Sequence, residues 1–275
     1  MTSTSTMCLQ SILTTLLLAV LVTTDELVTA VPTSLQIRGE TTKAPLISSK
    51  GIKPEDVDQG SWDSSWFNSV AVAIGHARPN DLEQCWSGSS TDEITEADFN
   101  LYDKQGEKKT LKVKLKDVMD KNEADSHSVK QGWWIGGLEH AALQMGGYTG
   151  LDTDHFTTGQ PTDAFKMLAN KDAEVYDFAK EQNKDDLLIE VYLRCVRTLF
   201  TWAAHTPIVF SSIATDGTEV WFAALSATSG DLEDGEKPWE KGEVKYYAAN
   251  RHTIDTLNLA KEGDQIAHAV HWKFD

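Results

Sequence analysis

Residues 1–30 contain no Lys or Arg, and the chain as a whole is short of positive charge: 25 Lys+Arg stand against 42 Asp+Glu, a formal charge of −17. There is no extended basic patch, His-rich tract or internal repeat, and no Asn-x-Ser/Thr sequon. An acidic chain without a basic stripe repels phosphate backbones and anionic bilayers, which excludes nucleic acid as the main partner. The missing sequon excludes N-glycosylation. Cysteine is scarce, with only Cys8, Cys85 and Cys195 in 275 residues, so no disulfide-dense scaffold is on offer. What is present is ordinary for a globular protein: 40% hydrophobic and 24% charged residues, enough to bury a core in one large domain or two smaller ones.

One apolar run, Ile12 to Thr23, is about a dozen residues long and too short to span a bilayer comfortably. Asp25 and Glu26 follow it, and then Val28-Thr29-Ala30, a small-residue ending suited to signal peptidase. Residues 1–30 therefore read as a signal peptide of a secreted, extracellular protein. An uncleaved interfacial or single-span anchor is the alternative. After removal, no membrane association is expected, and the mature chain from Val31 keeps Cys85 and Cys195. A bridge between them would close a loop worth about 4–5 kcal/mol in the chain-entropy model. Two free buried thiols are the other reading, and the sequence leaves both open.

Residues 31–52 form a Thr/Ser/Lys/Pro-rich leader. Trp66, Phe67, Val70, Ala71 and Ile74 then recur at helical spacing, with Asp63, Ser64 and Ser65 placed to cap the helix and Gly75 and Pro79 to end it. Between Phe99 and Met119, Leu111, Val113 and Leu115 alternate with Lys112, Lys114 and Lys116, which predicts a strand or hairpin. Trp133 to Gln144 predicts a second buried helix closed by Gly146-Gly147. Asp163–Leu168 and Ala173–Lys180 read as short helices or turns, and Leu187–Trp202 as a longer helix. From Pro207 the texture turns to strands at Ile208–Phe210, Glu219–Leu225, Val244–Ala248 and Ile266–Phe274. The expected class is α+β, with a helical lobe over 53–205 and a strand-rich lobe over 206–275.

A glycine-bearing turn that runs into a buried helix N-terminus favours negative charge and can stabilise an anionic nucleophile. Gln59-Gly60-Ser61-Trp62-Asp63-Ser64-Ser65-Trp66-Phe67 has this form, with a Gln upstream able to donate to an oxyanion. The stretch resembles the nucleophile segment of calpain-type cysteine proteases, whose pattern is Gln-Gly-x-x-Gly-Asp-Cys-Trp-Phe/Leu. Gln59, Gly60, Trp66 and Phe67 match it, Ser65 stands at the Cys position, and Asp63 and Ser64 replace Gly and Asp. A second block, Trp133 to Tyr148, is similar to the same family through Trp134, Leu138, Glu139, Ala141 and Tyr148. Together the likeness spans roughly residues 53–250.

The resemblance implies a papain-like fold and a Cys–His–Asn site with Gln59 at the oxyanion position. It puts Val220 at the His position and Asn250 at the Asn position, with Arg251-His252 in place of the family's Pro-Trp. It implies a cleft lined by Gly60 and Trp66 that takes a polypeptide segment, and calcium as a cofactor. A serine is a poor nucleophile without a base, and valine takes no proton. The expectation is therefore a monomeric, catalytically inactive pseudoprotease that keeps the groove. The alternative is an active calpain-type endopeptidase using Ser65 and a displaced His252 or His268. His205 reads as a helix C-terminal cap, and Cys85 as structural. The acidic turn Asp231, Glu233, Asp234 and Glu236 does not fit the EF-hand spacing and reads as a solvated insert, and no metal ligands are assigned.

Overall fold

Helix α1 (Ser65–Ala77) is the hub of the molecule in a computed structural model. It describes residues 43–88, 91–120, 132–177, 202–228, 242–258, 262 and 265–273. Every α1 residue from Ser65 to Gly75 is buried. The sequence predicts an amphipathic helix with one wet face; the structure encloses it, because Ala71, Ala73 and Gly75 let other elements approach from the sides the large residues leave. Ser64 is the N-cap, but its hydroxyl makes no capping bond. Instead Ser64 Oγ accepts from Asn68 Nδ2 at 3.0 Å, one turn on.

Around α1 the strands form three sheets. A two-residue strand β1 (Ala44–Pro45) pairs with β3 (Glu93–Ile94). A three-stranded antiparallel sheet runs in the order β2 (Trp86–Ser87), β4 (Glu96–Tyr102), β5 (Lys108–Lys114). A six-stranded antiparallel sheet runs β10 (Thr253–Asn258), β9 (Glu243–Ala248), β8 (Glu219–Thr228), β7 (Ile208–Ile213), β11 (Ile266–Trp272), β6 (Ala173–Asp177). The helices besides α1 are short: α2 (Pro79–Leu82), α3 (Leu115–Asp120), α4 (Trp134–Met145) and α5 (Pro161–Ala169).

Side-chain alternation sorts the six-stranded sheet into two faces. Val209, Trp221, Ala223, Leu225, Tyr247, Val270 and Trp272 join the buried side chains of α1, α4 and α5 in one core. Ile208, Phe210, Ala224, Val244 and Ala269 belong to a second cluster on the opposite face. Helix α4 leans on the three-stranded sheet so closely that a Cβ at Gly137 would stand 2.2 Å from Phe99 Cζ.

This architecture corrects the expected papain-like fold. Among the described residues no helical lobe is seen: the first half carries β1 to β5 among short helices, and strand outweighs helix, 36% to 30%. The main core is also continuous from α1, α4 and α5 into the six-stranded sheet, so no cleft divides a helical half from a stranded one there. The physical reason lies in the first half itself. Alternating Lys and apolar residues make Lys108–Lys114 a strand, and its pairing with β4 from Glu96 to Tyr102 gives this half a sheet of its own. Ala173–Asp177 is likewise a strand, β6, not a helix or turn, because β11 offers it an antiparallel partner from Trp272 to His268. The predicted helix at Leu187–Trp202 lies outside the described residues but for Trp202. Residues 1–42 lie outside them too, and with them the expected signal peptide, Cys8 and most of the expected leader.

Candidate functional site

The residues singled out by the sequence fall where α1 meets the six-stranded sheet. Gln59 enters first: its backbone N–H donates to Ala249 O at 3.2 Å, which pins the segment ahead of α1 to the turn after β9. Tyr247 reinforces that seam, its hydroxyl donating to Val57 O at 2.5 Å in a buried setting. His252, in a left-handed backbone conformation (φ 50°), bonds Glu55 O through Nε2 at 2.8 Å. Gln59 Nε2 donates to Trp62 O at 2.9 Å, and Gln59 Oε1 is buried with no hydrogen-bond partner. The amide hydrogen that an oxyanion role would need is thus partly engaged inside its own turn.

Ser65 opens α1, only 4% exposed. Its Oγ accepts the backbone N–H of Trp221 at 3.4 Å, 156 residues away in sequence. Among the described residues, no hydrogen bond joins Ser65 Oγ to an imidazole or a carboxylate. Val220 is the neighbour of Trp221 on β8, but alternation places it with Phe222 on the far face of the sheet. Trp221 occupies the face toward α1. Asn250 sits exposed on the short turn Ala249–Arg251, with no side-chain hydrogen bond to Ser65 or Gln59. The structure therefore gathers the Gln59, Ser65, Val220 and Asn250 segments at one seam without aiming their side chains at a common point.

The two residues expected to line a groove differ in exposure. Gly60 is half-buried and Ser61 is exposed. Trp66 is 1% exposed and anchors the core: Nε1 donates to Thr157 O at 3.0 Å, and a Cβ at Gly159 would lie 2.4 Å from its ring. Gly150 (φ 84°) and Gly159 are needed so that the 150–159 loop can lie flat on that indole. Asp63 accepts from Thr158 Oγ1 at 2.6 Å, and Trp62 stacks on Phe156 at 5.8 Å, so the loop is fixed to the whole segment.

Both displaced-base candidates are committed elsewhere. His252 is tied to Glu55 as above. His268 on β11 bonds Glu219 Oε1 through Nδ1 at 2.6 Å, lies 3.6 Å by Nε2 from Asp177 Oδ1, and stacks on Trp221 at 6.2 Å. Its backbone N–H donates to Ser211 Oγ at 3.1 Å. Register alone lines up Asp177, His268, Ser211 and Trp221 as a row across β6, β11, β7 and β8. Sequence reading misses this row, since its members come from four separate strands; the only signal is the polar Ser211 and His268 within otherwise apolar runs. His205 lies in a turn, its N–H bonded to Trp202 O, and the helix it was to cap is outside the described residues.

Cys85 is a free, buried thiol that donates to Leu168 O at 3.2 Å; burial pushes it up to about 12, and Lys108 pulls weakly the other way. Cys195 and the acidic turn Asp231–Glu236 lie outside the described residues. Among the described residues no group of three or more His, Cys, Asp or Glu is arranged to hold a metal ion, and no helix is long and apolar enough to cross a membrane. No family model matches the sequence, and no curated protein matches it.

Proposed function

We propose that this protein is a catalytically inactive, exported polypeptide-binding protein in which the Ser65 position serves structure. The observation that carries the reading is the hydrogen bond from Trp221 N–H to Ser65 Oγ, in place of a bond from Ser65 to a base. A serine nucleophile must hand its proton to a neighbour within about 2.6–3.2 Å. Here the neighbour is itself a donor, and the side chain at 220 faces away. Polypeptide binding then falls to the rim of the seam, where Ser61 and Asn250 are exposed beside the half-buried Gly60.

The test is hydrolysis of an unfolded protein substrate, with and without calcium, by the wild-type chain and Ser65→Ala. Both are expected to be silent. Turnover that vanishes in Ser65→Ala would overturn the reading and make the protein an endopeptidase. Binding is tested on an array of uncharged decapeptides, where Asn250→Arg is expected to weaken capture; an array that captures nothing overturns the binding half.

A further inference from the structure

The charge of this protein is unevenly spread, and one stretch corrects the reading of a chain without a basic patch. Between Lys104 and Lys116 there are six lysines against one glutamate, five net positive charges within a chain of −17. Most of that stretch is β5, the outer strand of its sheet, with β4 on one side only. Among the described residues, no backbone hydrogen bond leaves the outer edge of β5.

A cavity of about 680 Å³ opens at the start of this strand, beside the hairpin turn. Lys108 to Leu111 line one wall together with the hairpin-turn residues Asp103, Lys104 and Gln105, whose one carboxylate is already held by Lys109. The end of α4, Gln144 to Gly147, lines the other. Its volume is in the range of ligand-sized sites. Above Gly147 (φ 84°) there is open space, since a Cβ there would meet nothing within 4 Å.

The lysines divide into two groups. Lys109 is held by Glu107 at 2.7 Å and Asp103 at 3.2 Å, and Lys112 by Glu96 at 2.8 Å. Lys108 has no carboxylate within ion-pair distance among the described residues, and Lys104 lies 5.6 Å over the ring of Tyr148. Both border the cavity and both are exposed. Lysines on an edge strand discourage pairing with arbitrary chains. The same charges admit a strand whose side chains are acidic, because ion pairing then offsets their desolvation.

We propose that the β5 edge is a docking site for an extended, acidic polypeptide segment, which adds as a fourth strand and places carboxylates against Lys104 and Lys108. The inference goes beyond the polypeptide-binding reading: it adds a second surface, away from the Gly60–Asn250 rim, and gives its partner class. The probe is fluorescein-labelled decaglutamate, followed by anisotropy. It is expected to bind at low salt and to weaken steeply as salt rises. Lys104→Glu/Lys108→Glu, with unchanged circular dichroism, is expected to bind at least about tenfold more weakly, a loss of about 1.4 kcal/mol. Decaglutamate N-methylated at alternate residues, which keeps the charge and loses the donors, is also expected to bind more weakly. Failure of decaglutamate to bind at low salt, or equal binding by the charge-reversed variant, overturns the site. Equal binding of the N-methylated peptide overturns strand addition. If uncharged decapeptides are captured while decaglutamate is not, the acidic-segment inference fails and the broader reading stands.

Discussion

The backbone N–H of Trp221 and the hydroxyl of Ser65 meet at 3.4 Å, joining the first residue of the central helix to the middle of the six-stranded sheet. The core packing beside it sets Trp221 toward the helix, and alternation turns Val220 away from it. A base at position 220 would therefore point to the wrong side of the sheet. Ser65→Cys/Val220→His is expected to show no peptidase turnover on an unfolded substrate, even though it supplies both missing residue types. Measurable turnover abolished by reverting either residue would contradict the facing assigned to β8.

Ser65→Ala tests the structural side of the same bond. It leaves a buried backbone donor without its acceptor, which costs about 1 kcal/mol, with the long distance favouring the low end. Urea melts should show a lower midpoint and an unchanged slope. Stabilisation by the alanine would mean that the bond contributes nothing.

Cys85 makes a prediction about pH. Its folded thiol ionises only near about 12, because burial disfavours the thiolate. The unfolded thiol ionises near the ordinary value of 9.0, so above that pH the unfolded state holds fewer protons than the folded one. The stability this group contributes is full below the ordinary value and is lost as pH rises toward about 12, at up to about 1.4 kcal/mol per pH unit. The stability gap between wild type and Cys85→Ala should narrow over that window. At neutral pH a thiol reagent should leave Cys85 unmodified until the protein unfolds.

Much of the local structure was legible from pattern. The Lys/apolar alternation marks β5, and the spacing of Trp66, Val70 and Ile74 marks α1. What pattern could not supply was pairing at long range. The strand β6 has exposed Glu174, Val175 and Tyr176 and no alternation to betray it; β11, about a hundred residues on, makes it a strand. The strand β10 has Ile254 and Leu257 three apart, which hides its period of two, and only its pairing with β9 settles it. The candidate site shows the same division. Its residue types stand in one short motif, but whether a base reaches Ser65 depends on which way β8 faces, and that is decided by the core on either side of the sheet.

Two glycines on buried helices should respond differently to alanine. At Gly75 the new Cβ would meet Ile52 Cγ2 at 2.8 Å and Leu82 Cδ2 at 3.0 Å, both ends of movable side chains. The gain in helix propensity, about 1 kcal/mol, can offset that crowding, so Gly75→Ala should be near neutral. At Gly137 the Cβ would lie 2.2 Å from Phe99 Cζ, and Phe99 is itself fully buried against Trp133. The ring has nowhere to turn, so overpacking of about 1–3 kcal/mol should dominate. Thermal melts of the two variants should separate clearly; equal melting temperatures would show that α4 can shift on its sheet.

Tyr247→Phe probes the seam that places Gln59. The hydroxyl donates to Val57 O from 190 residues away, in buried surroundings, and Gln59 N–H reaches Ala249 O two residues further along each segment. Removing the hydroxyl leaves the Val57 carbonyl without that donor, at a cost of about 1–3 kcal/mol. The effect should be local as well as global. Amide exchange at Gln59, whose own bond depends on the same alignment, should speed up more than exchange within β4 and β5. If both regions speed up equally, the seam opens only when the whole chain unfolds. If neither changes, the Gln59–Ala249 bond holds the segment without help from Tyr247.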